Sequence, residues 1–431
     1  MSNTLINGEL TSGQILKELM LKHQITQVKM REIVGKDKYE NNLIEEKWLN
    51  KYLNGKKVAK FYWVLACVRA FDNLAGTFHE KQIMLKFIKE IDEKPELIMS
   101  AMMYCDQNNY LEELEKLTNI ALNYQNNPNL KRYGTLTHIN YKRKIEFIKS
   151  MKSWNDPINA ENNHEEQKNK LLELCDEAEN FKIPDSDLVS TVYKRILVAY
   201  IYHDLHYFNE SLKELVGVEK LINSIEDSHY KSFSETKYYV LQQTINLRNC
   251  NFEEARNFSY KPLEFALDLK TNAYSYVTLG LTWAFIDAQK ALEYFEKALD
   301  LYTQLGMDSA ALLVVKKIHF LKIHVNIDID IEEIEHEQNK AYWLIKNSRK
   351  EEALHILDQL DNKEGTRAQR LWLRGLATDD AKYHWMSLEL YIKQGGDRFF
   401  GMLPKEALLK LGQDKYPVNA LYYAEVKSLY V

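Results

Sequence analysis

Residues 287–302 read DAQKALEYFEKALDLY, and the fold follows from their spacing. Ala291, Leu292, Phe295, Ala298, Leu299 and Tyr302 recur at helical i, i+3, i+4, i+7 intervals, while Asp287, Lys290, Glu293, Glu296 and Lys297 take the other side. The two alanines are seven residues apart and open a small-residue notch along one face. A neighbouring helix can lie close against it while Leu292, Phe295 and Leu299 fill the space around it. A helix of this kind cannot bury its apolar face alone. It must be stacked in pairs, giving a superhelix with a concave inner wall.

The same grammar recurs at residues 98–122, 197–221, 238–267, 276–299 and 341–360. Each has a helix, a polar break holding an aromatic residue or Asn, and a second helix. Ala255, Ala291 and Ala353 open the second helix in the last three, and the 36-residue step from Ala255 to Ala291 is near the tetratricopeptide period. The break in the first unit is read at Asp106–Asn109. Glycine (15) and proline (7) are scarce over 431 residues, so long helices with short connections are expected throughout. The fold class is all-α: an N-terminal helix-turn-helix head on a tetratricopeptide-like α-solenoid. The expected boundaries are a head at 1–57, linker helices at 58–92, and a solenoid at 93–431 ending in a capping or dimerisation helix.

Residues 12–57 carry three short amphipathic segments, at about Ser12–His23, Thr26–Val34 and Asn41–Leu53. Ser12 is a candidate cap for the first, and Gly35 a candidate stop for the second. Residues 1–60 hold 11 Lys and Arg against 7 Asp and Glu, although the whole chain is net −5. In a helix-turn-helix the later helix enters the major groove. Lys36, Lys38, Lys47, Lys51, Lys56 and Lys57 are candidate phosphate contacts, with Asn41 and Asn42 at the start of the third helix for base edges. The alternative is a three-helix cap with a solvated lysine face, and Glu45 and Glu46 are poor neighbours for phosphate.

Two stretches break the rhythm. Residues 155–166 read as a polar loop, and 326–337 as an acidic connection leading into a helix, because one isolated strand would have no partner. At the C-terminus, VNALYYAEVKSLYV (418–431) has little polar face. Leu421, Tyr422, Val426 and Leu429 are therefore read as a homodimer contact.

Cys67, Cys105, Cys175 and Cys250 are widely and irregularly spaced, as reduced thiols of a cytoplasmic protein would be. No signal peptide or membrane span is read. His203 and His206 lie i, i+3 beside Asp204, but no further ligand pattern supports zinc. Phosphate loops and a Gly-x-Ser-x-Gly elbow are absent from the sequence, so a non-enzyme without cofactor is expected.

Four patches carry a resemblance to a known family: SAMMYCDQNNYLEELEKL (100–117), YSYVTLGLTWAFIDAQKALEYFEKAL (274–299), EHEQNKAYWLIKNSRKEEALHIL (335–357) and GGDRFFGMLPKEALLKLG (395–412). With the head and repeats, they make the chain resemble the arbitrium peptide receptors of temperate phages that infect bacilli. The resemblance implies a homodimeric DNA-binding regulator in the host bacterial cytoplasm. A short signalling peptide would occupy its concave wall, change binding to a double-stranded operator, and set the lysis–lysogeny choice. It further implies that Thr278, Gln338 and Asp397 stand at peptide-contacting positions, with Asp397 meeting a basic peptide side chain. The family's groove asparagines correspond here to Thr244, Arg248 and Leu281, and a groove arginine to Lys270. Asn246 and Asn249 lie nearby, off the matching register. Arg248 would favour an acidic group or a peptide C-terminus. The alternative is a sister protein whose N-terminal helices bind a response-regulator-type protein instead of DNA. The stretch Lys36–Lys57 separates the two, since a DNA-binding head should lose affinity steeply with salt.

Overall fold

The computed structural model describes residues 10–34, 46–56, 60–75, 78–91, 94–124, 126–153, 160–226, 228–265 and 268–424. Every regular element among them is helical. The N-terminal helices are α1 (Ser12–Lys22), α2 (Gln27–Val34) and α3 (Glu46–Leu53), followed by α4 (Phe61–Ala75) and α5 (Glu80–Glu90). The body then alternates two layers. Its first half comprises α6 (Pro95–Asn108), α7 (Leu111–Leu122), α8 (Pro128–Ser153), α9 (Ala160–Asn180), α10 (Leu188–Asp204), α11 (Phe208–Leu215), the short α12 (Val218–Asn223), α13 (Ser228–Arg248) and α14 (Phe252–Phe265). Its second half comprises α15 (Leu269–Trp283), α16 (Ala288–Gln304), α17 (Asp308–His324), α18 (Glu337–Lys346), α19 (Lys350–Glu364), α20 (Ala368–Thr378), α21 (Ala381–Glu389), α22 (Arg398–Lys410) and α23 (Lys415–Tyr422).

Helices α6, α8, α10, α13 and α15 touch in series, and so do α18, α20 and α22. These form the inner layer. Each is backed by its successor in the chain, and α17 joins the two halves by packing on α16 and α18. The layer curls back on itself, because α13 also meets α6 and α22.

Helix α16 has the face that its spacing predicts. Ala291, Leu292, Phe295, Ala298 and Tyr302 are buried, and Asp287 caps it by accepting the Lys290 N–H at 3.1 Å. Its partner α15 approaches so closely at Gly280 that a Cβ there would stand 2.5 Å from the Phe295 ring. Ala255, Ala291 and Ala353 are all fully buried, as helix-opening notches should be.

The first helices have no core separate from the body. Leu16, Met20, Met30, Leu49 and Leu53 belong to one continuous buried cluster with Phe87, Met102, Tyr133 and Tyr193. Gly13 lets α1 press on α3, since a Cβ would sit 2.0 Å from the Tyr52 carbonyl oxygen.

Three local expectations change. Thr11, and not Ser12, caps α1: its hydroxyl accepts the Gln14 N–H while the Gln14 side chain accepts the Thr11 N–H, a reciprocal box that Ser12 cannot make. Ser12 instead donates its hydroxyl to Glu90 on α5 at 2.7 Å. Helix α6 continues through Asp106 to Asn108, and the break falls at Asn109, which takes the left-handed conformation. Residues 160–166, expected as loop, are the first turns of α9, where Glu166 pairs with Lys170 one turn on at 2.6 Å. Residues 326–337 form the connection expected of them, with a single 3₁₀ turn at Ile331–Glu333 before α18. Gly35 lies outside the described residues.

Candidate ligand groove and nucleic-acid face

The inner wall is polar at its centre. Asp106 on α6 is 1% exposed and holds four partners from three other helices. Lys144 stands at 2.6 Å and Lys237 at 2.9 Å, Asn140 donates at 2.7 Å, and the Tyr193 hydroxyl at 3.0 Å. Burial alone would raise its pKa, but the Lys144 and Lys237 ammoniums outweigh that and hold its carboxyl well below the usual range. Beside it Arg143 pairs with Asp204, and both Arg143 and Lys237 lie over the Tyr200 ring. Sequence reading missed this anchor because Asp106 falls in what looks like a polar helix break. A carboxylate and two lysines more than thirty residues apart give no local signal.

Further along the wall stand the residues singled out as ligand contacts. Thr244 on α13 bonds the Val240 carbonyl and reaches the Tyr274 hydroxyl on α15, each at 2.7 Å. Thr278, one turn beyond Tyr274, is buried and donates to the Tyr274 carbonyl at 3.2 Å. Lys270, at the start of α15, points to the Gln107 carbonyl at 3.4 Å. Burial lowers its pKa, and the nearby Asp268 carboxylate opposes that. Gln338 is half-buried in the first turn of α18, next to Asn339, whose amide donates to the Lys316 carbonyl at 2.8 Å. Asn246 turns back on its own helix, donating to Gln242, and Leu281 packs among apolar neighbours.

Arg248 and Asp397, separated by 149 positions, form an ion pair across the seam between α13 and α22. Asp397 also caps α22 by accepting the Phe400 N–H at 3.1 Å, and Arg248 lies over the Phe400 ring. The carboxylate expected to meet a basic group of a ligand therefore has a cation from its own chain. Leu247, Ala255 and Phe399 make the buried apolar floor of this seam. Behind it a small cleft is lined by His206, Asn249, Gly396 and Arg398.

On the N-terminal side, Lys47 and Lys51 are exposed on α3 and Lys56 follows, also exposed. The opposite face of α3 is fixed by buried Leu49, Tyr52 and Leu53, and Trp48 meets Trp63 edge-on at 4.8 Å between centroids. Glu46 is occupied by Arg31 at 2.9 Å. Lys36, Lys38, Asn41 and Asn42, and Lys57, lie outside the described residues.

At the other end Leu421 is half-buried, while Val426 and Leu429 lie outside the described residues. Tyr422, expected in a contact between copies, is buried within its own chain, where its hydroxyl donates to the Arg398 carbonyl at 3.2 Å and stands 3.4 Å from the Cys250 sulfur. Tyr416 and Tyr423 are the exposed aromatics there. His203 hydrogen-bonds Asp204 at 3.2 Å, and no group of three metal-ligating side chains occurs among the described residues. No described helix is long and apolar enough to cross a membrane.

Fold and wall together define a helical-repeat solenoid with a polar inner face. Residues 80–410 match the family described as AimR transcriptional regulator-like. The AimR transcriptional regulator of Bacillus phage SPbeta is 25% identical over 344 residues, covering 78% of this chain and 82% of that one. The AimR transcriptional regulator of Bacillus phage phi3T is 23% identical over 391 residues, covering 86% and 96%. The solved structure of SeMet-phAimR superposes with a TM-score of 0.68 at 18% identity, over 96% of this chain and all of that one. A ligand-bound phAimR structure gives 0.61 over 83% of this chain. The family match spans well over half the chain, so the protein belongs to the AimR transcriptional regulator-like family. It is a transcription regulator of a family that is not enzymatic.

Proposed function

We propose that this protein is a peptide-controlled, DNA-binding homodimer of the bacterial cytoplasm that sets a phage's choice between lysis and lysogeny. The observation that carries the reading is the family match combined with a polar inner wall at Thr244, Lys270, Thr278 and Gln338. An extended peptide needs hydroxyls, amides and charges to satisfy its backbone and termini, and these side chains offer them. That a relative has been solved with a ligand, and that two relatives come from Bacillus phages, supports both halves of the proposal.

DNA would be met by a helix-turn-helix head at residues 1–57, through the exposed face of α3 carrying Lys47 and Lys51, with Lys36, Lys38, Asn41, Asn42 and Lys56 around it. The two copies would meet through the C-terminal segment, by Leu421, Val426 and Leu429 together with the exposed Tyr416 and Tyr423.

The test is light scattering and fluorescence anisotropy on the purified full chain, using the intergenic DNA beside its own gene and short peptides encoded just downstream. A dimer that binds this DNA, loses affinity steeply with salt, and changes affinity with one such peptide is expected. Lys47→Ala with Lys51→Ala should weaken DNA binding without changing the circular dichroism spectrum. Unchanged affinity would remove α3 from the interface. A protein indifferent to DNA but retained by a host protein would favour the response-regulator type of partner.

A further inference from the structure

The end of α6 is held by a helix that is not its neighbour in the layer. Helices α6, α8, α10, α13 and α15 follow one another along the wall, so α6 and α15 are its first and fifth members. Yet the side-chain amide of Gln107, in the last turn of α6, donates to Asp268 at 2.8 Å, across 161 positions. Asp268 is the N-cap of α15, where it accepts the Thr271 N–H and the Thr271 hydroxyl, each at 2.7 Å. Lys270, two residues on, reaches back to the main-chain carbonyl of Gln107 at 3.4 Å. Carbonyls in the last turn of a helix have no partner within it, so this one is open to an outside donor. The start of α15 therefore grips one residue of α6 twice, by side chain and by backbone. Asp106, the residue before it, is engaged by Lys144 and Lys237 and does not compete for Lys270.

The bodies on either side are packed separately. Met102 and Tyr104 of α6 belong to the buried cluster that contains the N-terminal helices, whereas Ala273 of α15 belongs to the one around Phe295 of α16. On the head side the link is aromatic. Tyr104 meets Phe61 on α4 at 5.8 Å, Phe61 meets Phe87 on α5 at 5.6 Å, and Phe87 meets Tyr52 on α3 at 6.2 Å. On the other side Tyr274 of α15 bonds Thr244 on the groove wall. Gln107, Asp268 and Lys270 are all half-buried, within reach of water. Hydrogen bonds at such a joint can be exchanged for bonds to water, so it opens at lower cost than the apolar packing behind it.

We propose that Gln107, Asp268 and Lys270 form a polar clasp that sets the angle between the head-bearing first half of the solenoid and its second half. Closed, it fixes α3 relative to α15 and α16. Open, it lets the first half tilt against the second while each keeps its own core. Lys270 is the arm of the clasp that faces the groove wall.

The test measures that angle in the full chain. Spin labels are carried on ketone amino acids at the exposed positions Lys51 on α3 and Glu296 on α16, which leaves the four native cysteines untouched. Labelled protein is diluted with unlabelled chain, and the distance within one copy is read by pulsed electron resonance. Gln107→Glu with Lys270→Met sets two carboxylates against each other and opens the clasp. Adding Asp268→Asn closes it again, because the Asn side chain can cap α15 through its oxygen and donate to Glu at 107 through its amide. The distance should shift or broaden by more than about 2 Å in the opened protein, the size of an ordinary helix shift, and return in the reclosed one. An unchanged distance in the opened protein overturns the proposal, since the contact then binds two helix ends and nothing more. A shift that Asp268→Asn does not reverse overturns it as well. If the opened protein lacks a cooperative melt, Gln107→Leu with Lys270→Met takes its place, and the presence or absence of the shift decides in the same way. No peptide or DNA enters the measurement, so its outcome is separate from that of the proposed function.

Discussion

Asp106 is the residue on which the inner wall turns. Its carboxylate pairs with two buried lysines and accepts from Asn140 and Tyr193, so one side chain ties α6 to α8, α10 and α13. Replacing Asp106 by Asn removes the charge and leaves two ammoniums facing each other. The loss should be about 3–5 kcal/mol, the usual cost of breaking a buried pair from one side. Urea unfolding of the full chain measures it. The folded pKa lies below the unfolded value, so this contribution is complete above about pH 4 and is lost as pH falls through the folded pKa. Asp106→Asn should therefore flatten the acid side of the stability profile; an unchanged profile would mean that other carboxylates set it. None of this could be read along the chain. Polar residues at 106–109 look like the break between two helices, and only the third dimension shows that the first of them is the best-buried acid in the wall. Arg248 and Asp397 are both singled out in the sequence as candidate ligand contacts, but their pairing with each other, 149 positions apart, is not legible there.

Helix pairs were easier to read, because their signal is periodic and repeated. The buried face of α16 is the one that its spacing gives, and the alanines opening α14, α16 and α19 are buried as notches. Ends were harder. The Thr11 box outcompetes Ser12 at the start of α1, and α9 extends back through residues that carry loop-like polarity. The tightest test of the paired-helix reading is Gly280, where α15 rests on Phe295. Gly280→Ala should destabilise by about 1–3 kcal/mol, as overpacking does, despite the better helix propensity of alanine. Adding Phe295→Leu should return part of that loss, so the double variant costs less than the sum of the two. Thermal melts of the four proteins decide this. Additive losses would place the strain elsewhere.

At the scale of the whole molecule, the curl of the inner layer brings α22 back to α13, and the Arg248–Asp397 pair sits on that seam. Asp397→Asn keeps a capping side chain for α22 but removes the charge, so it isolates the ion pair from the cap. It should speed limited proteolysis of the segment from Gly395 onward severalfold. Asp397→Ala, which also loses the cap, should speed it more. Equal rates in wild type and Asp397→Asn would show that the apolar floor of Leu247, Ala255 and Phe399 holds the seam unaided. The N-terminal helices pose the opposite question. Their apolar residues are buried in the same cluster as those of α6, α8 and α10. A fragment ending at residue 57 would leave Leu16, Met30 and Leu49 without most of that core and should show no cooperative thermal transition. A cooperative melt of the fragment would establish an independent head.

The shared core also determines how a change in the groove can travel. A domain on a slack tether can be released or captured, but its orientation cannot be set from a distance. Here α3, with its exposed lysines, and α6, with Asp106, bury their apolar residues in one continuous cluster that includes Leu49 and Met102. A rotation of α6 about its contact with α13, passed on through that cluster, would swing α3 through an arc, as the handle of a wrench moves with its jaw. In the proposed DNA-binding dimer the quantity under control would be the distance between the two α3 helices, measured against the pitch of a double helix.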